Sequence, residues 1–205
     1  MRILIGFLAV LAACASAPAA APTRTEEPAQ APAAVPAVKP TESLVEPMHK
    51  LDFMRGIWAG PASGVERDGK AYKVTQVERI GPMLGGDIVV IEGRGFRDDN
   101  TTGFNAFAVA SYDRQTQKYE LRSYAQGYSG TFEMKLTATG YVWEIPSGPH
   151  AVTRFTATIT PTTWREVGEF VAEGAPAAQI FEMNLKRVGD TDWPLGTPPS
   201  PSVGR

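Results

Sequence analysis

The sequence predicts an all-β domain, an antiparallel up-and-down barrel of about ten strands with a short helix before it. From Gly56 to Gly189, apolar and polar residues alternate with a period of two in one segment after another. Short turn signals separate these segments, and the 20 Gly and 17 Pro residues argue against long helices. So many antiparallel strands would leave two open sheet edges, which closure into a barrel removes. A two-sheet sandwich is the alternative form of closure.

The composition of the chain excludes several classes of function. Of its 205 residues, 20 are Lys or Arg and 22 are Asp or Glu, giving a net charge of −2. This chain therefore lacks the basic surface that nucleic-acid binding requires, and no nucleic-acid partner is expected. Cys14 is the only cysteine, which excludes an internal disulfide and a cysteine-based zinc site.

Residues 1–13 have the layout of a signal peptide, with Arg2 before an apolar run. The run is too short to span a hydrocarbon layer of ~30 Å, which takes ~20 helical residues. The end of this run together with the following cysteine, Leu11-Ala12-Ala13-Cys14, resembles the bacterial lipobox. That resemblance implies cleavage before Cys14 and a lipid on its thiol, and Ala15 in place of Asp implies the outer membrane, facing the periplasm. The alternative is an ordinary signal peptide cleaved after Ala17, giving a soluble periplasmic or secreted protein.

The lipidated Cys14 and the linker are predicted to occupy residues 14–43. Residues 15–43 contain 10 Ala and 6 Pro among 29 residues. Such a segment buries too little apolar area to offset its conformational entropy. The barrel domain is then expected at 44–189, with an irregular, proline-rich tail at 190–205.

The first element of the domain is a helix expected at about 45–54. Apolar residues recur there at roughly helical spacing: Leu44, Val45, Met48, Leu51, Phe53 and Met54. Pro47 falls in the first turn, where its missing N–H costs nothing. Ser43 is a candidate N-cap, with Glu46 three residues further on.

The strands follow at short intervals. They are expected at 56–66, 70–80, 86–96, 103–113, 117–125, 128–137, 140–146, 151–160, 163–172 and 178–188. Alternation is clear in several of them; for example, Phe132, Met134 and Leu136 share one face while polar residues occupy the other. One buried and one solvated face is typical of an antiparallel meander.

Gly56-Ile57-Trp58, directly after the helix, resembles the GxW element of calycins, the lipocalin-like barrels. The resemblance implies that Trp58 closes one end of the barrel beneath an Arg from a late strand. Arg187 ends the last strand and shares parity with its apolar residues. We therefore expect Trp58 and Arg187 to form a barrel-end pair, held by cation–π attraction.

A second resemblance is to a bacterial domain family of unknown function within the calycin group, similar in layout to nitrobindin. The residues that carry it are 51–58, Glu78-Arg79-Ile80, Leu84-Gly85-Gly86, 110–113 and Tyr119. The resemblance covers about residues 48–188. It implies a fold but no function, because the family has no established activity to transfer.

No catalytic residue, metal site or cofactor is predicted. Neither His49 nor His150 is accompanied by a Ser or Cys in a recognisable nucleophile-elbow motif, and the GxSxG motif is absent. Haem is not favoured, since the nitrobindin-like barrel would use an inward His on a late strand and 178–188 contains none. Asp98-Asp99-Asn100 is explained as a turn.

Charged residues raise the question of a polar centre inside the barrel. Glu166 shares parity with Trp164, while Glu92 and Arg94 share parity with Val90. If those faces are interior, Glu166 with Arg94 or Arg122 would bind a ligand headgroup. The alternative is that a bulge shifts the register and all of them face water.

The leading functional hypothesis is a membrane-tethered envelope protein whose barrel binds a small apolar or amphipathic ligand. The expected ligand-binding residues are Tyr141, Trp143, Phe155, Trp164, Glu166, Phe170, Phe181 and Met183, with Phe104, Phe107, Phe132 and Met134 as further wall candidates. The alternative is a structural or interaction protein of the envelope with a filled barrel, whose protein partner the sequence does not identify. An enzyme is the least favoured class, because no catalytic constellation is visible.

Overall fold

Ten strands run up and down around a closed antiparallel barrel in this computed structural model, which describes residues 44–66 and 68–194. Consecutive strands pair in order, and the last pairs with the first, so every edge is satisfied. The predicted fold class is confirmed, and the sandwich alternative is excluded. The predicted signal peptide, Cys14 with the predicted linker at 14–43, and the tail beyond 194 lie outside the described residues.

The strand boundaries follow the predicted segments closely. They are β1 Gly56–Val65, β2 Ala71–Met83, β3 Ile88–Phe96, β4 Thr102–Asp113, β5 Lys118–Ala125, β6 Tyr128–Thr137, β7 Gly140–Pro146, β8 Ala151–Ile159, β9 Thr163–Ala172 and β10 Ala178–Gly189. The main difference is at the β2–β3 connection, where β2 continues past residue 80 to Met83. A 3₁₀ turn, Leu84–Gly86, then reverses the chain with Gly85 at φ 70°.

The predicted helix consists of α1, Val45–His49, and a separate 3₁₀ turn, Asp52–Met54. Leu44 is the N-cap residue of α1 and provides no side-chain cap, and the candidate cap Ser43 lies outside the described residues. Together these turns bury Met48, Leu51 and Met54 completely. The Tyr119 hydroxyl of β5 donates a hydrogen bond to the Pro47 carbonyl over 2.7 Å. The segment before β1 therefore closes one end of the barrel.

Trp58 lies at the centre of this closed end. It is fully buried, and its indole N–H donates to the Met54 carbonyl over 2.9 Å. Its ring meets Trp164 edge to face, with 5.8 Å between centroids. Ile80, Val89 and Leu185 complete a dry core around the two rings.

Trp58 and Arg187 are direct partners across the β1–β10 pair. The Arg187 side chain is 32% exposed rather than buried, and its guanidinium forms an ion pair with Asp190 at 2.5 Å. The same group donates to the Arg55 carbonyl over 3.5 Å. Arg187 therefore sits at the rim of the closed end, beside Trp58 in the sheet. Stacking of its guanidinium on the indole stays a prediction.

The described part of the tail packs across the outer face of β2. The Trp193 ring lies 4.4 Å from the guanidinium carbon of Arg79, and Asp192 forms an ion pair with the same guanidinium. Only glycine fits at position 81, because a Cβ there would come within 2.6 Å of Trp193. Val90, the strand partner of Gly81, is buried on the outer face of the barrel beside this contact.

Candidate functional site

The barrel interior has a dry half and an accessible half. The exposure of the inward side chains increases along β9. Trp164 is 1% exposed, Glu166 is 6% exposed and Phe170 is 38% exposed. The dry half adjoins α1, so water enters from the opposite end. We call the accessible half the cup; four half-buried inward aromatics form its walls: Phe132, Trp143, Phe155 and Phe181.

The walls of the cup form a continuous aromatic cluster. Trp143 and Phe155 are partners across β7 and β8, and their rings stack at 4.5 Å with 14° between planes. The ring centroids of Phe132 and Trp143 lie 5.4 Å apart, and those of Phe181 and Phe155 lie 6.1 Å apart. Gly168 makes room for this cluster, since a Cβ there would come within 2.8 Å of Phe155. The cluster thus presents aromatic faces within reach of solvent.

Glu166 lies at the floor of the cup. Its carboxylate accepts hydrogen bonds from the Tyr141 hydroxyl at 2.7 Å and the Trp143 indole N–H at 3.3 Å. Burial raises the pKa of Glu166, and these donors counteract part of that rise. Burial and the neighbouring carboxylate raise the pKa of Tyr141 well above its usual value. Tyr141 therefore remains a proton donor to Glu166 at any physiological pH.

Glu78 on β2 is a second buried carboxyl, 8% exposed. The Gln76 amide donates to one of its oxygens over 2.7 Å. Burial raises the pKa of Glu78 to about 8, and the charge of Glu166 contributes to the rise. Its strand partner is Gly93, where a Cβ would lie only 2.7 Å from the carboxylate. At neutral pH, Glu78 is mainly protonated.

Within the part of the chain that the structure describes, no basic side chain of the strands faces these two carboxyls. In the barrel register, Arg187 is the single Lys or Arg with inward parity among the described strand residues, and it pairs with Asp190 at the closed end. A buried carboxyl without a cationic partner keeps its charge at high cost. The floor of the cup is therefore acidic, and burial raises the pKa of both carboxyls.

The sequence-based site prediction placed most side chains on the correct face. All eight expected ligand-binding residues point inward, with Tyr141, Trp164 and Met183 in the dry half and Phe170 at the rim of the cup. Phe104, Phe132 and Met134 also point inward. Their role in binding a ligand stays a prediction.

One prediction for the interior is wrong, and neither alternative for its charged residues holds in full. Phe107 is not a wall residue, because it pairs with Glu92 on the outer face and is 39% exposed. Arg94 and Arg122 also lie on the outer face, so neither can partner Glu166; Arg94 instead binds Glu92 at 2.6 Å. Glu166 itself does not face water, which excludes a register shift in β9.

Sequence reasoning did not single out Glu78 and Gln76 as candidate site residues. Both share parity with Val74 and Ile80, which point inward along the same strand. A carboxylate and an amide between apolar residues of equal parity are the signal that could have identified them. The effect of the Glu166 charge on the pKa of Glu78 depends on the closed barrel.

The two histidines lie on the surface. His49 contacts Asp52 at 2.8 Å and His150 contacts Glu173 at 3.0 Å, and all four side chains are well exposed. Within residues 44–66 and 68–194, no three His, Cys, Asp or Glu side chains come together as a metal site. Helices in the same ranges are all too short or too polar to cross a membrane.

Comparison with known proteins identifies the fold. No protein-family model matches the sequence, and no curated protein matches it significantly. The crystal structure of Rv2717c from M. tuberculosis is similar, with a TM-score of 0.52 and 13% identity over 68% of this chain and 96% of that one. The S-type phycobiliprotein lyase CPES from Guillardia theta matches with a TM-score of 0.45 and 11% identity, over 71% of this chain and 97% of that one. The likeness to Rv2717c supports the fold, a closed ten-stranded barrel.

Proposed function

We propose that this chain is a lipid-anchored envelope protein whose barrel binds a small apolar or amphipathic molecule in the cup. The observation that carries the proposal is the contrast between the two halves of the interior. Inward residues near α1 are almost fully buried, whereas the aromatic walls of the cup remain accessible. A concave site with accessible aromatic walls and a few polar groups at its base is typical of a ligand pocket.

The size of the hydrophobic effect makes this proposal reasonable. Covering apolar surface gains about 25 cal/mol per Å², and micromolar binding requires about 8 kcal/mol net. A ligand that covers the rings of Trp143 and Phe155 removes apolar area on both partners from water. A filled barrel, by contrast, would bury these rings as completely as it buries Trp58 and Trp164.

Tryptophan emission provides the test. We expect at least one member of a panel of fatty acids, lysolipids, isoprenoids and haem to cause a saturable change in emission, because Trp143 lines the cup. Trp143→Ala should weaken that binding about tenfold or more, through loss of the stacked wall. Trp193→Phe is the matched control, since Trp193 packs on the outer face of β2 and should leave the titration curve unchanged.

A panel without any saturable response would contradict ligand binding in the cup. The alternative role, a structural or interaction protein of the envelope, would then explain the barrel better. A response that survives Trp143→Ala but disappears in Trp193→Phe would place the ligand on the outer surface.

Anchoring at Cys14 is the second part of the proposal. Its support is the pattern Leu11-Ala12-Ala13-Cys14, with Ala15 at the position that decides sorting to the outer membrane. An extended proline-rich chain rises ~3.1 Å per residue, so the segment before α1 is long enough to hold the barrel away from a membrane.

Cys14→Ser is expected to remove the lipid and leave the signal peptide uncleaved. The variant should run as a larger species on a gel and lose labelling by radioactive palmitate, which the unmodified protein should incorporate. Ala17→Leu is a control that alters only the alternative cleavage site and should change neither property. A Cys14→Ser protein of normal mature size would show an ordinary signal peptide instead.

A further inference from the structure

The strand pairing between β6 and β7 is the shortest in the barrel wall. Every strand has two neighbours, but the β6–β7 ladder contains only four residue pairs and ends at Met134 with Trp143. The flanking ladders, β5–β6 and β7–β8, contain seven pairs each. Beyond Met134 and Trp143 the two strands run on without pairing. We call this unpaired stretch the seam; its sides are residues 128–133 of β6 and 144–146 of β7.

Charged side chains on the two sides of the seam bind away from it. Glu133 of β6 forms an ion pair with Lys118 of β5 at 2.9 Å. Glu144 of β7 forms an ion pair with Arg154 of β8 at 2.6 Å. Each side of the seam is therefore tied to its own outer neighbour, and separation of the two sides breaks neither ion pair.

The seam lies in the wall of the cup. A hollow of about 310 Å³ occupies the outer surface at this place, and Trp143 lines it together with the outward residues Lys135 and Val142. The same Trp143 is a wall of the cup, where its ring stacks on Phe155. One side chain thus borders both the outer hollow and the cup, so only a thin barrier separates the two spaces.

We propose that the seam is the entrance of the cup, and that it admits a single-chain amphiphile with the apolar end first. The inference rests on the proposed function, since it names the entry route and the ligand shape for the same cup. The apolar chain lies against Trp143 and Phe155, and the polar head group stays in the outer hollow. An anionic head group carried to the floor would instead meet the acidic side chain of Glu166, where repulsion disfavours it.

Phe132 of β6 is the gate of this entrance. Its ring lies 5.4 Å from the Trp143 ring of β7, with 49° between the planes, so the two rings meet across the seam. The ring turns back along its own strand, which requires glycine at position 130, because a Cβ there would come within 2.5 Å of it. Rotation of one side chain opens such a contact, whereas a paired ladder must break several hydrogen bonds.

A disulfide across the seam tests the inference. Glu133→Cys with Glu144→Cys places one thiol on each side, at the first positions beyond the last pair. The full-length protein also carries Cys14→Ser, so that only the engineered thiols can oxidise. The probe is cis-parinaric acid, a fluorescent fatty acid, followed by stopped flow. We expect oxidation to slow its association and its dissociation at least tenfold each, with little change in Kd, and reduction to restore both rates.

Thr156→Cys with Val167→Cys is the matched control. These two residues are direct partners on the outer face of the β8–β9 ladder, which is already closed there. Each double variant is compared in its oxidised and reduced forms, which separates the effect of the disulfide from that of the substitutions. Oxidation of the control pair should leave both rates unchanged. Association that stays equally fast when the seam is locked would overturn the inference and place the entrance at the open end of the barrel.

The size of the gate side chain provides a second test that needs no disulfide. Phe132→Ala should speed association of cis-parinaric acid at least threefold, and Phe132→Trp should slow it, because the ring that closes the seam shrinks or grows. Phe107→Ala is the control, since Phe107 lies on the outer face of β4. Association rates that do not follow the size of residue 132 would overturn the inference.

Equilibrium binding separates failure of this inference from failure of the proposed function. If cis-parinaric acid does not bind but another member of the lipid panel does, the entrance for single-chain amphiphiles is refuted and ligand binding in the cup stands. If neither cis-parinaric acid nor any member of the panel binds, both proposals fail.

Discussion

Glu78→Gln is expected to stabilise the protein by several kcal/mol at pH 8 and to change its stability little at pH 4. The pKa of Glu78 is raised from 4.5 to about 8 in the folded state. The folded protein therefore binds this proton more tightly than the unfolded chain does. Between these two pKa values the unfolded state releases the proton first, so stability falls as the pH rises. Each unit of difference corresponds to roughly 1.4 kcal/mol.

Gln is a suitable replacement because it keeps the shape of the protonated carboxyl and its contact with Gln76. Urea unfolding at pH 4, 6, 7 and 8 measures the effect as the difference between the two stability curves. Glu133→Gln serves as a control of opposite sign, because Lys118 lowers the pKa of Glu133 on the solvated outer face. Parallel curves for Glu78→Gln and the unmodified protein would show that Glu78 is not buried as described.

Trp58→Ala is expected to destabilise the domain by about 3–5 kcal/mol, the range for aromatic truncations in a packed core. Trp58 is fully buried, packs edge to face on Trp164 and donates its N–H to Met54. Removing it leaves a void at the closed end and an unpaired carbonyl on the turn that seals it. That cost is a large part of the total stability of a domain of this size.

Trp143→Ala is the matched comparison, since Trp143 is also an inward tryptophan but is only half-buried in the cup. We expect its cost in unfolding free energy to be clearly smaller, because solvent already reaches the site. Trp58→Phe should lie between the two, keeping most of the packing but losing the hydrogen bond. Equal losses for Trp58→Ala and Trp143→Ala would contradict the division of the barrel into a dry half and a cup.

Some features of the site followed from the sequence because they depend on parity within one strand. Glu166 alternates with Trp164, and alternation alone places both on the same face. Phe104 and Phe107 were both expected as wall residues, although they are separated by an odd number of positions in one strand and only one of them can face inward. The structure places Phe104 inside and Phe107 outside.

Alternation did not identify the inward face of a strand where apolar residues occupy both of its faces. Val90 is buried, yet it lies on the outer face of β3, beside the contact between Gly81 and Trp193. We infer that the segment after β10 covers it, since Trp193 lies against its strand partner Gly81, and no local pattern within β3 reveals this. Arg94 shares the parity of Val90, so the alternative in which Arg94 faces the interior is excluded as well.

The period of two thus determined the strands, their number and most of the inward faces, because alternation is imposed locally by the geometry of an extended chain. The choice of a barrel over a sandwich, the accessible cup and the electrostatic effect of Glu166 on Glu78 were decided by the tertiary structure. Their strands, β2 and β9, are distant in the chain and come together through the β1–β10 pairing. The pKa of Glu78 depends on the same assembly, since burial arises only when all ten strands enclose one interior.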